Sequence, residues 1–225
     1  MNRPIWAHYK GSLEQDAVQI EKDFDLNTRH QKSCMDELYI EMFKGIWKTS
    51  PLKVRKLTLI THWQCSVMEI LPHLDAESLN SIIIEKIKGI NKECTIDLGE
   101  FSKTEQWRKA KELCMKTLTV RTSIQDMNIL NFETIDITME TMSQEDITYC
   151  RKAKPNSTFS LHNVQDTDQT SLGEPYRVVN NLKYIWYFRI ENTLFYLHVV
   201  LQQIPETTES RLNIAKIHQD DTPFF

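Results

Sequence analysis

Three residues have the types and the spacing of a partial metal site. His62 and Cys65 stand three residues apart, and His73 follows them. A structural zinc ion takes four nitrogen or sulfur ligands, and the sequence indicates no fourth ligand for this group. We therefore interpret His62 as a partly exposed side chain beside a buried cysteine, and we expect no bound metal.

Two pairs of aspartates have the spacing of carboxylates that bind a cation. Asp166 and Asp168 lie in a polar stretch after His162, and Asp23 and Asp25 lie near the N-terminal end. Loop carboxylates hold Mg²⁺ or Ca²⁺, but the spacing of an EF-hand and its glycine are missing. Aspartates in turns often hydrogen-bond their own backbone, so we expect both pairs to be solvated turn residues.

The scarcity of glycine excludes most phosphate-binding motifs. The chain has five glycines in 225 residues, against roughly 7% in an average protein, and no two lie close together. A dinucleotide fingerprint, a P-loop and a nucleophile elbow all need clustered glycines, so we expect no cofactor. Five cysteines and seven histidines leave a Cys–His nucleophilic pair open. Nothing in the sequence selects one, and we name no catalytic residue.

The composition is that of a globular intracellular protein. Hydrophobic residues make up 40% and charged residues 26%, and the net charge is -4 at pH 7. This charge argues against a protein that coats nucleic acid by bulk attraction. No apolar run is long enough for a signal peptide or a membrane span, and the odd number of scattered cysteines fits a reducing compartment. We expect a location in the cytoplasm or nucleus and no secretion.

Hydrophobic periodicity predicts about four helices in the first half of the chain. The first runs from Ser33 to Lys48, where apolar residues recur every three or four positions. The stretch from Leu52 to Leu71 fits both a helix and an alternating strand. Its length and the preceding Ser50-Pro51 favour a helix. Further helices are predicted from Ala76 to Ile90 and from Ser102 to about Leu118.

The second half of the chain alternates apolar and polar residues, as strands do. Strands are predicted from Phe132 to Met142 and around Phe159 and Leu161, and Ser143 caps a short helix to about Lys152. Helices followed by strands predict an α+β fold, with an N-terminal helical layer of about four helices followed by a mainly antiparallel sheet. The predicted organisation is an N-terminal segment at 1–30, one domain at 31–204 (helical in 31–118, strand-rich in 119–204), and a polar tail at 205–225 with a weak helix around 212–217.

The strongest local prediction is a β-hairpin over residues 183–202. Glu191-Asn192 is predicted as its two-residue turn, because asparagine tolerates positive φ. Folding there puts Trp186 on a core face. The opposite face mixes aromatic, aliphatic and basic side chains, as protein interfaces do, although a helix of the same chain would also suit it. The residues predicted to bind a partner there are Lys183, Ile185, Tyr187, Arg189, Tyr196 and His198.

Trp6 is a further predicted partner-binding residue, because it stands in a polar N-terminal segment beside Ile5 and Tyr9. Together these features predict a non-enzymatic protein–protein interaction subunit or adaptor of a larger assembly, which binds a protein partner or a second copy of itself. Two alternatives stay open. One is a nucleic-acid-associated structural protein, cellular or viral, whose hairpin tyrosines stack on bases. The other is a metal- or thiol-dependent enzyme.

Overall fold

A computed structural model describes residues 33–41, 51–61, 64–87, 94–155, 157–162, 173–180, 182–205 and 210–223. Within these residues the chain forms one mixed sheet of eleven strands and three α-helices of five to seven residues. None of the helices in these ranges has the length and apolar character that crossing a membrane requires.

The first part of the sheet, which we call the parallel half, follows the order of the chain. Each strand pairs in parallel with the next one, and the short β4 pairs only with β5. Its strands are β1 (Met35–Glu41), β2 (Val54–Ile60), β3 (Ser81–Glu85), β4 (Thr95–Ile96), β5 (Glu112–Val120), β6 (Thr134–Met139) and β7 (Thr158–His162).

The second part, which we call the meander, is antiparallel. Its strands are β8 (Arg177–Val179), β9 (Lys183–Arg189), β10 (Phe195–Gln203) and β11 (Ser210–His218). The last strand, β11, lies between β7 and β10 and pairs antiparallel with both. The meander therefore extends the parallel half into one continuous sheet.

The described helices of the parallel half lie on one side of the sheet. Parallel crossovers are right-handed in nearly all proteins, so strands that advance steadily in one direction carry the helices of their connections over the same face. The helices of these connections are α1 (Gln64–Ile70), α2 (Glu105–Lys109) and α3 (Gln144–Cys150). Buried residues of the helices and of the strands belong to one hydrophobic cluster.

The covered face is built from rows of register partners that cross the sheet. Burying one large apolar side chain stabilises the fold by about 1.5–3 kcal/mol. A buried row that continues from the parallel half into the meander therefore stabilises the two parts as one sheet. One such row, in which no side chain is more than 2% exposed, consists of Leu57, Ile82, Leu113, Ile135, Phe159, Ile214, Val199 and Trp186.

Trp107 fastens α2 to this core. Thr104 caps the helix by accepting a hydrogen bond from the backbone N–H of Trp107. The indole Nε1–H of Trp107 donates to the carbonyl of Met127 at 2.7 Å, and its ring meets Phe132 edge-on with centroids 5.1 Å apart. A completely buried indole thus has its one polar atom satisfied, as burial requires.

The predicted layer of four N-terminal helices is wrong. The predicted helices at 33–48, 52–71 and 76–90 overlap the strands β1, β2 and β3. The predicted helix at 102–118 is α-helical only in α2, and its last seven residues belong to β5. A short apolar run has the same composition in a buried helix and in a strand buried within a parallel sheet, so periodicity alone does not separate them. The run Ile82-Ile83-Ile84 is β-branched throughout, which favours a strand.

The prediction of a mainly antiparallel sheet is also wrong, because the first half of the sheet is parallel. The weak helix predicted around 212–217 is strand β11, which lies inside the predicted polar tail. Polar residues alternate with Leu212 and Ile214 because one side of β11 faces the core and the other faces away from it. The structure does contain the predicted strand β6 and helix α3, whose N-terminus has the capping box of Ser143 and Asp146.

We expect Trp107→Phe to lower the free energy of unfolding by about 1–3 kcal/mol, because it keeps an aromatic ring but leaves the buried carbonyl of Met127 without its donor. Denaturant unfolding followed by circular dichroism measures this loss. Lys103→Ala, an exposed change one turn away, is the control and should cost less than about 0.5 kcal/mol. Equal losses in the two variants would contradict the anchoring role of the indole.

Candidate functional site: the open face of the sheet

The side chains that alternate with the core rows form a second face, which we call the open face. It runs from β1 to β8, and many of its side chains in the described part of the chain remain half or fully exposed. One of its rows, from β1 to β9, consists of Glu37, Lys56, Ser81, Glu112, Thr134, Thr158, Ala215, His198 and Tyr187.

The hairpin of β9 and β10 presents six of the predicted partner-binding residues on the open face. Its register differs from the predicted one by two residues, since Tyr187 pairs with His198 rather than with Tyr196. Side chains alternate with a period of two, so a shift of two leaves every residue on its predicted face. The residues brought together there are Lys183, Ile185, Tyr187, Arg189, Tyr196 and His198.

The hairpin turn is wider than the predicted two residues. Ile190 N–H donates to the carbonyl of Phe195, and Asn192 has a φ of 58°. A two-residue turn of type I′ needs positive φ at both central positions, and Glu191 does not have it. The hydroxyl of Thr193 donates to the carbonyl of Ile190 and accepts from the N–H of Phe195, which fixes the four-residue loop.

Four side chains at the meander end of the open face make an aromatic patch, which consists of Tyr176, Ile185, Tyr187 and His198. The rings of Tyr187 and His198 stack with centroids 4.8 Å apart and planes at 13°. Tyr176 meets Tyr187 edge-on at 5.4 Å. Burial, and then the charge of Lys183, lower the pKa of His198, while burial raises the pKa of Tyr187. Both rings are therefore uncharged at neutral pH.

A pocket of about 430 Å³ opens within this patch. Pro223, near the end of the chain, and the guanidinium-bearing Arg177 complete walls that are otherwise aromatic and aliphatic. The residues that line the pocket are Tyr176, Arg177, Ile185, Tyr187 and Pro223.

A polar cluster of Lys116, Asp136 and His162 occupies the centre of the open face. The Oδ2 of Asp136 lies 2.7 Å from Nζ of Lys116, and its Oδ1 lies 2.6 Å from Nε2 of His162. Burial raises the pKa of Asp136, but the hydrogen bonds from Lys116 and His162 outweigh it and hold this pKa below its usual value. The pKa of Lys116 is raised by the same carboxylate.

Cys114 lies beside this cluster, as the register partner of Asp136. A nucleophilic cysteine has its thiol pKa lowered by a neighbouring imidazolium or another positive group. Burial and the charge of Asp136 instead raise the pKa of Cys114, and Nε2 of His162 bonds the carboxylate. Lys116, Asp136 and His162 therefore form a structural polar cluster beside a protonated thiol. This environment does not activate Cys114 as a nucleophile.

Other residues singled out in the sequence lie elsewhere. Trp6, Asp23, Asp25, His62, Asp166 and Asp168 fall outside the described residues, as does the side chain of Cys65. His73 ends a 3₁₀ turn after α1. Among the described side chains, no group of three or more His, Cys, Asp or Glu is placed to hold a metal ion.

Comparison with known proteins adds a family to this geometry. The FTH domain family matches residues 37–172, which is more than half of the chain. The chain belongs to the FTH domain family. The FTH match covers most of β1 and all the strands from β2 to β7, and it ends before the meander begins at Arg177. No curated protein and no solved structure matches the chain.

Sequence reasoning missed several residues of the open face in this FTH chain. Tyr176 and Arg177 line the pocket, and Arg211 joins the face through β11. The alternation of Arg211, Asn213 and Ala215 with apolar neighbours was the available signal for the last strand. No local sequence pattern predicts the contact between Asp136 and His162, because the parallel pairing of β6 with β7 brings the two residues together.

Asp136→Asn should lower the free energy of unfolding at pH 7 by about 1–2 kcal/mol, because it removes the charge that accepts from Lys116 and His162. Lys116 is half exposed, so solvent screens the contribution of its ion pair with Asp136 to stability. Since the folded pKa of Asp136 lies below the unfolded value of about 3.9, the difference between wild type and variant is complete above about pH 4 and shrinks as the pH falls further.

Denaturant unfolding at pH 7, 5 and 3 measures this difference. Glu133→Gln removes one side of an exposed 3.7 Å ion pair and is the matched control, with an expected loss below about 0.5 kcal/mol. A loss for Asp136→Asn that is no larger than the control, or that persists undiminished at pH 3, would contradict the assignment.

Proposed function

We propose that this chain is a non-enzymatic interaction domain that binds a protein partner through the meander end of the open face. The aromatic patch is the observation that carries the proposal. The rings of Tyr187 and His198 are half-buried and held on hydrogen-bonded strands, and the exposed ring of Tyr176, next to β8, packs against Tyr187. Tyrosine and arginine are enriched at protein interfaces, and tyrosine supplies a large contact area at a low entropic cost.

The rigidity of the sheet supports the proposal energetically. Binding costs free energy whenever side chains and loops must be ordered. Here Tyr187 is already held between His198 and Tyr176, on a strand whose neighbours pair with it on both sides. The patch therefore has its contact geometry before a partner arrives.

The chemistry of the polar cluster supports a role without catalysis. Cys114 has a raised pKa rather than a lowered one, and the carboxylate of Asp136 is already bonded to Lys116 and His162. The cysteines whose side chains the structure describes are free thiols, as a reducing compartment leaves them. We accordingly propose an intracellular location for the interaction.

Tyr187→Asp tests the proposal, because a charge at the centre of the patch opposes burial against a partner. Crosslinking of the full chain in its native lysate, with quantitative mass spectrometry, should show at least a tenfold loss of the wild-type partners. Tyr39→Asp is the matched control, since Tyr39 is exposed on the open face at the far edge, on β1, and it should leave those partners bound.

Circular dichroism and the melting temperature verify that both variants fold. If Tyr187→Asp unfolds the chain, Tyr187→Ser replaces it in the same comparison. An unchanged set of partners in a folded Tyr187 variant would reject the aromatic patch as the binding surface.

A further inference from the structure

The open face carries opposite charges at its two ends. The side chains of its parallel half include the glutamates Glu37, Glu41, Glu85 and Glu112. Its meander end carries Arg177, Lys183, Arg189 and Arg211. The open-face positions of β8 to β11 hold no carboxylate.

The four cations of the meander end are not neutralised by the described part of the chain. None of the ion pairs among the described residues includes one of these four side chains. Lys183 lowers the pKa of His198 and Arg211 acts against the charge of Lys116, so their positive fields reach neighbouring groups. A negatively charged partner would gain attraction from all four without having to break an ion pair within the described residues.

The pocket lies on the same strands as these cations. Its walls offer aromatic and aliphatic surface together with the side chain of Arg177. Its volume of about 430 Å³ is at the lower end of the range for small-ligand pockets. A chain that crosses β8 and β9 can therefore place one apolar side chain in the pocket and its carboxylates on the surrounding cations.

We infer that the meander end of the open face binds an acidic peptide segment of the partner, anchored by one apolar side chain in the pocket. This inference rests on the proposed function and adds the chemistry of the partner. Glu37 is paired with Lys56, while Glu41, Glu85 and Glu112 repel an acidic chain and so favour its placement on the meander. Charge complementarity of this kind sets the position and the association rate of a partner.

An acidic peptide suits the surface better than a nucleic acid. Single-stranded nucleic acids bind by stacking bases on aromatic rings. The ring of Tyr187 stacks on His198 of β10 and meets Tyr176 edge-on, so the chain itself already occupies one of its two stacking faces. Glutamates on the same face and the net charge of -4 also oppose a polyanion that extends beyond the meander.

A peptide array tests the inference with the purified full chain. Each peptide has nine residues, with glutamate or aspartate at eight positions and a central residue varied over all twenty types. A second set replaces the acidic residues by glutamine and asparagine. We expect the chain to bind the acidic set with apolar central residues at least tenfold more strongly than the amide set, and this binding should weaken between 50 and 300 mM salt.

Arg177→Glu with Lys183→Glu should reduce binding to the acidic set at least tenfold. Lys103→Glu with Arg108→Glu makes the same change of charge at two exposed residues, one in the 3₁₀ turn Phe101–Lys103 and one in α2, and it should leave binding unchanged. If the first pair destabilises the chain, Arg177→Gln with Lys183→Gln replaces it. Equal binding of acidic and amide peptides, or equal loss in both charge pairs, would overturn the inference.

Two further measurements separate other occupants. Binding of a fifteen-residue polyuridine without binding of the acidic peptides would assign the surface to nucleic acid and overturn the inference. A dimer in light scattering that dissociates on Arg177→Glu with Lys183→Glu would overturn it in favour of a second copy, whose acidic half would meet the basic end. If the acidic peptides fail while Tyr187→Asp still releases the crosslinked partners, the proposed function stands and the acidic partner is rejected.

Discussion

The structure depends on one constraint, which is that the parallel strands advance across the sheet in the order of the chain. Right-handed crossovers then carry the described helices of the parallel half over the same face. That face becomes the core, where Leu57, Ile82, Leu113, Ile135 and Phe159 meet in one row. None of the described helices of the parallel half lies on the other face. The rule that builds the core therefore also separates it from the open face.

The meander gives the open face its chemistry. Because β11 pairs with β7 and with β10, the core row continues through Ile214, Val199 and Trp186, and the open face continues onto the hairpin. The FTH match covers the parallel half and ends before Arg177. The surface that we propose for binding thus lies on strands beyond the family match.

The sequence predicts local features of this chain better than its topology. Ser143 and Asp146 form the predicted capping box because that interaction is confined to four residues. The hairpin faces follow from a period of two, although Thr193 widens the turn and moves the register. Strands β1 to β3 were missed because their burial comes from pairing with distant segments. The union of Asp136, Lys116 and His162 depends on β5, β6 and β7 lying side by side, which no local pattern specifies.

The accessibility of the open face in the full-length protein is the most direct test of this account. Thr134→Cys and Thr158→Cys place a thiol at exposed positions of neighbouring strands, while Cys150 of α3 is completely buried on the covered side. Native-state alkylation, resolved by peptide mass spectrometry, should modify the two new cysteines within tenfold of the rate in an unfolded peptide and leave Cys150 unmodified. Protection of both new cysteines by more than a hundredfold would mean that the face is covered, and it would contradict the central claim.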